Sequence, residues 1–167
     1  MFDAIIADLT TGTALPYSVI VLRLVGAVIL VAGIGYDREV SGRAAGLRTH
    51  MLVSVAAALF AILSIEVIAH PQFSDEQVRA DPLRVIEAVT AGVAFLSAGF
   101  IIVARGRVRG VTTGAGIWFS AAIGLAAGFG YWSIGLIAAL IGFAIIAILR
   151  RLETLAELKP EARADRT

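Results

Sequence analysis

Residues 17–36 read YSVIVLRLVGAVILVAGIGY, twenty positions with one charge, Arg23. At about 1.5 Å per residue, a helix of this length covers about 30 Å, the thickness of a bilayer's hydrocarbon core. Such a helix is apolar on every side and has no face to turn toward water. The stretch reads as a membrane-spanning helix, and the rest of the chain can be judged against it.

The composition agrees. Of 167 residues, 59% are hydrophobic and 16% charged, and the mean hydropathy is +0.89. A soluble domain carries about a quarter charged residues, and this chain lacks the polar surface to cover one. Four more apolar runs follow the first. The expected fold is therefore all-α, an integral membrane bundle of five transmembrane helices at about 17–36, 49–69, 85–103, 111–128 and 132–149. A membrane-surface lead-in, 1–16, precedes them and a cytoplasmic tail, 150–167, follows. The lead-in holds Asp3 and Asp8, no Lys or Arg and only a short apolar run, so it does not read as a signal peptide. Phe129, Gly130 and Tyr131 are all that separates the last two spans, which makes these an antiparallel hairpin.

Orientation follows from where the basic residues fall. Arg38, Arg43 and Arg48 lie after the first span, Arg105, Arg107 and Arg109 after the third, and Arg150, Arg151, Lys159, Arg163 and Arg166 after the fifth. The connection after the second span has Arg79 and Arg84 beside Asp75, Glu76 and Asp81. The lead-in and the turn near Gly130 have none. This alternation places the N-terminus outside and the C-terminus in the cytoplasm. It also accounts for the run ARGRVRGVTTGAG at 104–116, whose three arginines hold a cytoplasmic loop.

Small residues recur at helical spacing. Gly124 and Gly128 form a GxxxG extended by Ala121; Gly92 and Gly99 share a face near Ala88 and Ala91; Ser54, Ala57, Ala58, Ala61 and Ser64 line the second span. Without a hydrophobic drive between helices in lipid, small residues matter because they let backbones approach closely. These stripes serve either a compact bundle or a seam for a second subunit, and a homo-oligomer is expected.

Charged residues inside the spans are the sharper signal. Arg23 lies about 9 Å in from the outer surface, and Glu66 and Glu87 lie at the outer ends of the second and third spans. A lone charge at mid-bilayer costs at least about 2.5–3.5 kcal/mol, so such residues pair or line a wet cavity. The three are expected to form one inward-facing cluster, serving either structural pairing or an ion path.

The cytoplasmic face offers further candidates. Arg107, Arg109, Thr112 and Thr113 at the start of the fourth helix could hold an anion or a lipid headgroup. The run is no Walker loop, since it lacks the Gly-Lys-Ser/Thr ending. Asp37 and Glu39 flank Arg38, as a weak Mg²⁺ site or as a solvated helix end; no metal is otherwise expected. His50 and His70 fall on opposite sides of the membrane and cannot share a zinc. There is no cysteine, HExxH or GxSxG, so thiol chemistry is excluded and no enzyme is expected. A net charge of +1 gives no field for nucleic acid.

Five motifs occur in a familiar order: Gly46-Leu47-Arg48-Thr49-His50, Asp81-Pro82-Leu83-Arg84, Gly92 to Gly99 (GVAFLSAG), Gly106 to Thr113 (GRVRGVTT) and Ala121 to Gly128 (AAIGLAAG). Together they resemble the membrane domain of the MgtC/SapB family over roughly residues 20–150. The resemblance implies a multi-pass protein of the bacterial inner membrane. It also implies a role in Mg²⁺ homeostasis or stress adaptation, either as a modulator of larger membrane complexes such as the rotary ATP synthase or as an ion transporter. The polar positions it matches are Asp37, Arg38, Glu39, Arg48, Thr49, His50, Asp81, Arg84, Arg109, Thr112 and Thr113. Ala94 and Ser97 stand where the family often has glycine, and Ala88, with Glu87 beside it, where it has glutamine. Longer members carry a soluble C-terminal domain; functions resting on that domain are not expected of these 167 residues.

Overall fold

The computed structural model describes Phe2, residues 5 and 6, 12–70, 81–104 and 107–157, without the side chains of 102–107, 149, 150 and 152–157. Five long helices make up these residues: α1 (Tyr17–Val40), α2 (Leu47–Ala69), α3 (Pro82–Ala98), α4 (Val111–Phe129) and α5 (Trp132–Glu157). A short antiparallel hairpin, β1 (Ile102–Ala104) and β2 (Arg107–Arg109), joins α3 to α4, with Val103 opposite Val108. By length and composition α1, α2 and α4 are able to cross a membrane, and α5 contains a shorter apolar stretch, Trp132–Ile148.

Helix α4 is the centre of the bundle and touches the other four. Its closest neighbour is α2, and its GxxxG explains why. A Cβ on Gly124 would run into the Ser54 carbonyl and come within 2.8 Å of Ser54 Cα; one on Gly128 would strike the Ala58 carbonyl and lie 2.7 Å from Ala58 Cα. The two helices run parallel, with Ser54 and Ala58 seated on Gly124 and Gly128. The small-residue stripe is thus spent inside the subunit. Apolar side chains fill the layer around it: Val31, Ile34, Ile123 and Ala139 on one side, and Ala57, Ala61, Ala121 and Leu125 on the other.

The helix ends carry local signals. After α1, the Gly42 amide bonds to Glu39 O and the Arg43 amide to Arg38 O, a Schellman closure that needs the left-handed φ of 62° at Gly42. After α4, Gly130 (φ 84°) and Tyr131 bond back to Ala127 and Ala126 in the same way, which makes the tight turn into α5. Asp81 Oδ1 accepts the Leu83 amide at 2.9 Å, and Pro82 occupies the first turn of α3.

Three helices differ in extent from the sequence expectation; the first runs on from 36 to Val40. The third helix begins at Pro82 and stops at Ala98, not 85–103, because the Asp-Pro cap starts it early and the chain after Gly99 pairs as a hairpin. The fifth runs past the apolar stretch to Glu157. The arginines at 105, 107 and 109 repeat every second residue, the period of a strand, and the expected plain loop is in part β. Arg79, Arg105, Asp75, Glu76, Lys159, Arg163, Arg166, Asp3 and Asp8 lie outside the described residues, as does the side chain of Arg107.

Candidate functional site

A polar core forms where the C-terminal turn of α1 meets the first turns of α2 and α4. Asp37 and Arg38 are each only 6% exposed. Arg38 Nη2 donates to Thr113 Oγ1 at 3.2 Å, and the cation lies in the last turn of α1, where the helix dipole favours positive charge. Next to it, Glu39 Oε2 accepts the Leu47 amide at 2.9 Å. Gly46 gives α2 no capping side chain, so a carboxylate from the preceding helix caps it instead.

His50 is fully buried one turn into α2. Its Nδ1 lies 2.8 Å from Gly46 O; a carbonyl only accepts, so Nδ1 carries the proton and Nε2 presents a bare lone pair. Among the described residues Nε2 has no hydrogen-bond partner. It abuts Gly116, where a Cβ would come within 3.2 Å. Ser120, one turn further along α4, is fully buried and its hydroxyl also lacks a partner among the described groups, as does that of Ser97 at the end of α3. Ser54 Oγ, in contrast, donates to Ala27 O at 2.9 Å.

Of the other candidates at this end, Arg48, Thr112 and Arg109 are exposed and Thr49 is half-buried. Thr112 edges a groove of about 480 Å³ floored by Gly116 and walled by Phe119 and Ile146. Among the described residues no three histidine or acidic side chains converge as metal ligands. Asp37 is buried beside Arg38, and Glu39 is occupied by the α2 amide.

At the opposite end the expected trio is not joined. Arg23 Nη1 donates to Gly128 O at 2.8 Å, a carbonyl of the last turn of α4 that has no intrahelical partner. Glu66 accepts the amides of Ala14 and Leu15 at 2.6 and 2.9 Å. Glu87 is exposed on α3. Main-chain groups left over at a helix end and in the lead-in satisfy Arg23 and Glu66 separately, so neither needs the other. Asp81 is spent on its cap, and Arg84 is exposed at the rim of a groove of about 490 Å³ between α2 and α3. Sequence reasoning missed Ser97 and Ser120 as buried polar groups; Ser97's place in a glycine position of the family motif was the one available signal.

The MgtC family model matches residues 24–155. The chain belongs to the MgtC family. The MgtC-family relatives include YhiD of Escherichia coli (strain K12), provisionally named a magnesium transporter, which is 36% identical over 132 residues, 79% of this chain and 61% of that one. SrpB of Synechococcus elongatus is 36% identical over 145 residues, 82% of this chain and 78% of SrpB. Protein MgtC of Brucella abortus (strain 2308) is 36% identical over 140 residues, covering 84% and 55%. The chain spans about three fifths of YhiD's length. No solved structure matches. In this MgtC-family membrane protein His50 and Thr113 are part of the buried polar core, and Arg48 and Thr112 lie exposed at its edge.

Proposed function

We propose that this MgtC-family protein crosses the bacterial inner membrane five times, N-terminus outside and C-terminus cytoplasmic, and modulates other membrane proteins in Mg²⁺ homeostasis or stress adaptation. The alternation of arginine-rich and arginine-poor connections supports the topology; in this reading the shorter apolar stretch Trp132–Ile148 and the 17-residue α3, which carries Arg84 and Glu87, complete the count. The name of one relative, YhiD, is that of a magnesium transporter.

The observation that carries modulation over conduction is the layer between the two polar ends. From Val31 and Ile34 on α1, through Ala57, Ala58 and Ala61 on α2, to Ile123 and Ala127 on α4, these buried side chains are apolar; the buried hydroxyls beside them are Ser54, which donates to Ala27 O at 2.9 Å, and Ser120. A hydrated Mg²⁺ ion keeps several waters and seeks oxygen ligands, and among the described residues this layer offers it no carboxylate and only those two hydroxyls. The Arg38–Thr113–His50 core opposite it is placed to bias how α1, α2 and α4 sit together when a partner binds.

The second reading, an ion carrier, is favoured by the YhiD name. Mg²⁺ uptake into proteoliposomes of the purified protein separates the two. Modulation predicts no flux above protein-free vesicles and co-purification of a defined membrane complex from native membranes; uptake abolished by Arg38→Gln would replace it with transport. A reporter fused after Thr167 should be active on the cytoplasmic side, and periplasmic activity would reverse the topology.

A further inference from the structure

His50 stands at the junction of α1, α2 and α4, between two glycines. A Cβ on Gly35 of α1 would come within 3.2 Å of His50 Cβ, and one on Gly116 of α4 within 3.2 Å of Nε2. The ring is fully buried. It has a place for one proton, on Nδ1, which Gly46 O accepts at 2.8 Å.

A second proton, on Nε2, would find no acceptor among the described groups. Gly116 has no side chain, and Ser120, one turn further along α4, is not bonded to the ring. Nor would the new charge be balanced. From α1 the Arg38 guanidinium acts on the ring, and like charges repel. Asp37 is buried, but it lies about 200° round α1 from Gly35, the residue that faces the ring. Glu39 is held by the Leu47 amide at 2.9 Å. On α2 itself Arg48 is exposed, and α4 brings only Thr113, Gly116 and Ser120 to this level. A neutral ring fits the junction and a charged one does not.

The packing decides what yields. Toward the middle of the membrane, Gly124 and Gly128 seat on the Ser54 and Ala58 backbone with no room for a methyl group. At the level of the ring, α4 is tied to α1 by the single 3.2 Å bond from Arg38 to Thr113, and its first turn has no side-chain cap at Gly110. The tight seam is a pivot, and the first turns of α4 are the part that can swing.

We propose that His50 is an acid-operated latch: the neutral ring lets the start of α4 close on α1 and α2, and a proton on Nε2 drives them apart. In the released form both ring nitrogens reach water, so uptake of the proton favours release. The latch rests on the modulation reading and deepens it, naming acidification of the cytoplasm as the signal that shifts the three helices.

The chain has no cysteine, so paired spin labels report single distances. Val40→Cys at the end of α1 and Val111→Cys at the start of α4, both exposed, carry one pair in lipid nanodiscs. Below about pH 6.5, the ordinary imidazole value, their pulsed-EPR distance should gain a longer population that grows about tenfold for each pH unit. A second pair at the opposite end, Tyr17→Cys with Tyr131→Cys, should stay unchanged. His50→Asn should abolish the response and His70→Asn should leave it intact. No longer population in the parent, the same growth in His50→Asn, or an equal change at the second pair would each overturn the latch. Where His50→Asn does not fold, nitrogen NMR of the histidine-labelled parent decides: release that tracks the His50 proton supports the latch, and a proton gained at fixed distance overturns it. The purified protein is measured without partner or Mg²⁺ gradient. A failed latch therefore leaves modulation standing, and Mg²⁺ flux in proteoliposomes would sink modulation without touching the latch.

Discussion

Arg38 and Thr113 are 75 positions apart in the chain and joined by one hydrogen bond of 3.2 Å, with Arg38 6% and Thr113 4% exposed. The bond ties the end of α1 to the start of α4 and holds a buried guanidinium in place. Hydrogen bonds to charged groups contribute about 1.5–3 kcal/mol. Thr113→Val should lower stability by about that amount and Thr113→Ser by much less. Thermal melting followed through Trp118 and Trp132 measures both; equal melting of Thr113→Val and the parent would show the bond to be idle.

The seam between α2 and α4 leaves no room for a methyl group. Gly124→Ala drives a Cβ onto the Ser54 backbone, and overpacking of this kind costs about 1–3 kcal/mol. Gly92→Ala, with open space around it, should be neutral or slightly stabilising because alanine favours helix. The same melting experiment compares the two, and Gly92→Ala melting below Gly124→Ala would contradict the assignment of the seam.

Glu66 holds the lead-in through two amides. In Glu66→Gln, amide hydrogen exchange at Ala14 and Leu15 should quicken at least about tenfold, since charge-assisted bonds are replaced by weaker ones. Exchange in the middle of α2 should be unchanged. Exchange mass spectrometry of the detergent-solubilised protein reads both regions, and a uniform change would point to general loosening instead.

His50 should exist as the Nδ1–H tautomer, because Gly46 O accepts from that nitrogen at 2.8 Å. The chain has two histidines, so nitrogen NMR of the selectively labelled protein has one other imidazole, His70, to compare. An Nε2–H form at His50 would mean that the ring meets Gly116 differently from the arrangement described. His50→Asn keeps a donor for Gly46 but shortens the side chain and should empty the space beside Gly116, at a cost of about 1–3 kcal/mol.

Much of the fold was legible because lipid makes simple demands. A backbone without water must satisfy its own hydrogen bonds, so apolar runs of this length become helices. Glycine in a tight turn acts through near neighbours, which is why the turn at Gly130 could be read locally; the Asp81 cap is equally local, but the expected start at 85 overlooked it. The expected pairing of Arg23 with Glu66 or Glu87 failed for a non-local reason. Sequence showed three charges at one depth, but not that the last carbonyls of α4 and the amides before Pro16 would come to the same place.

Sequence by itself determined that greasy helices alternate with arginine-bearing bends, and that residues 46–50 and 106–113 carry the family's polar motifs, since hydrophobicity and charge are properties of each residue where it stands. Only the tertiary structure decided that the GxxxG closes on Ser54 and Ala58 within the same subunit, that Arg38 reaches Thr113, and that Arg84 comes to the rim of the groove between α2 and α3. Those depend on how helices far apart in the chain are rotated against one another, and rotation is set by the sum of all contacts and not by any one stretch.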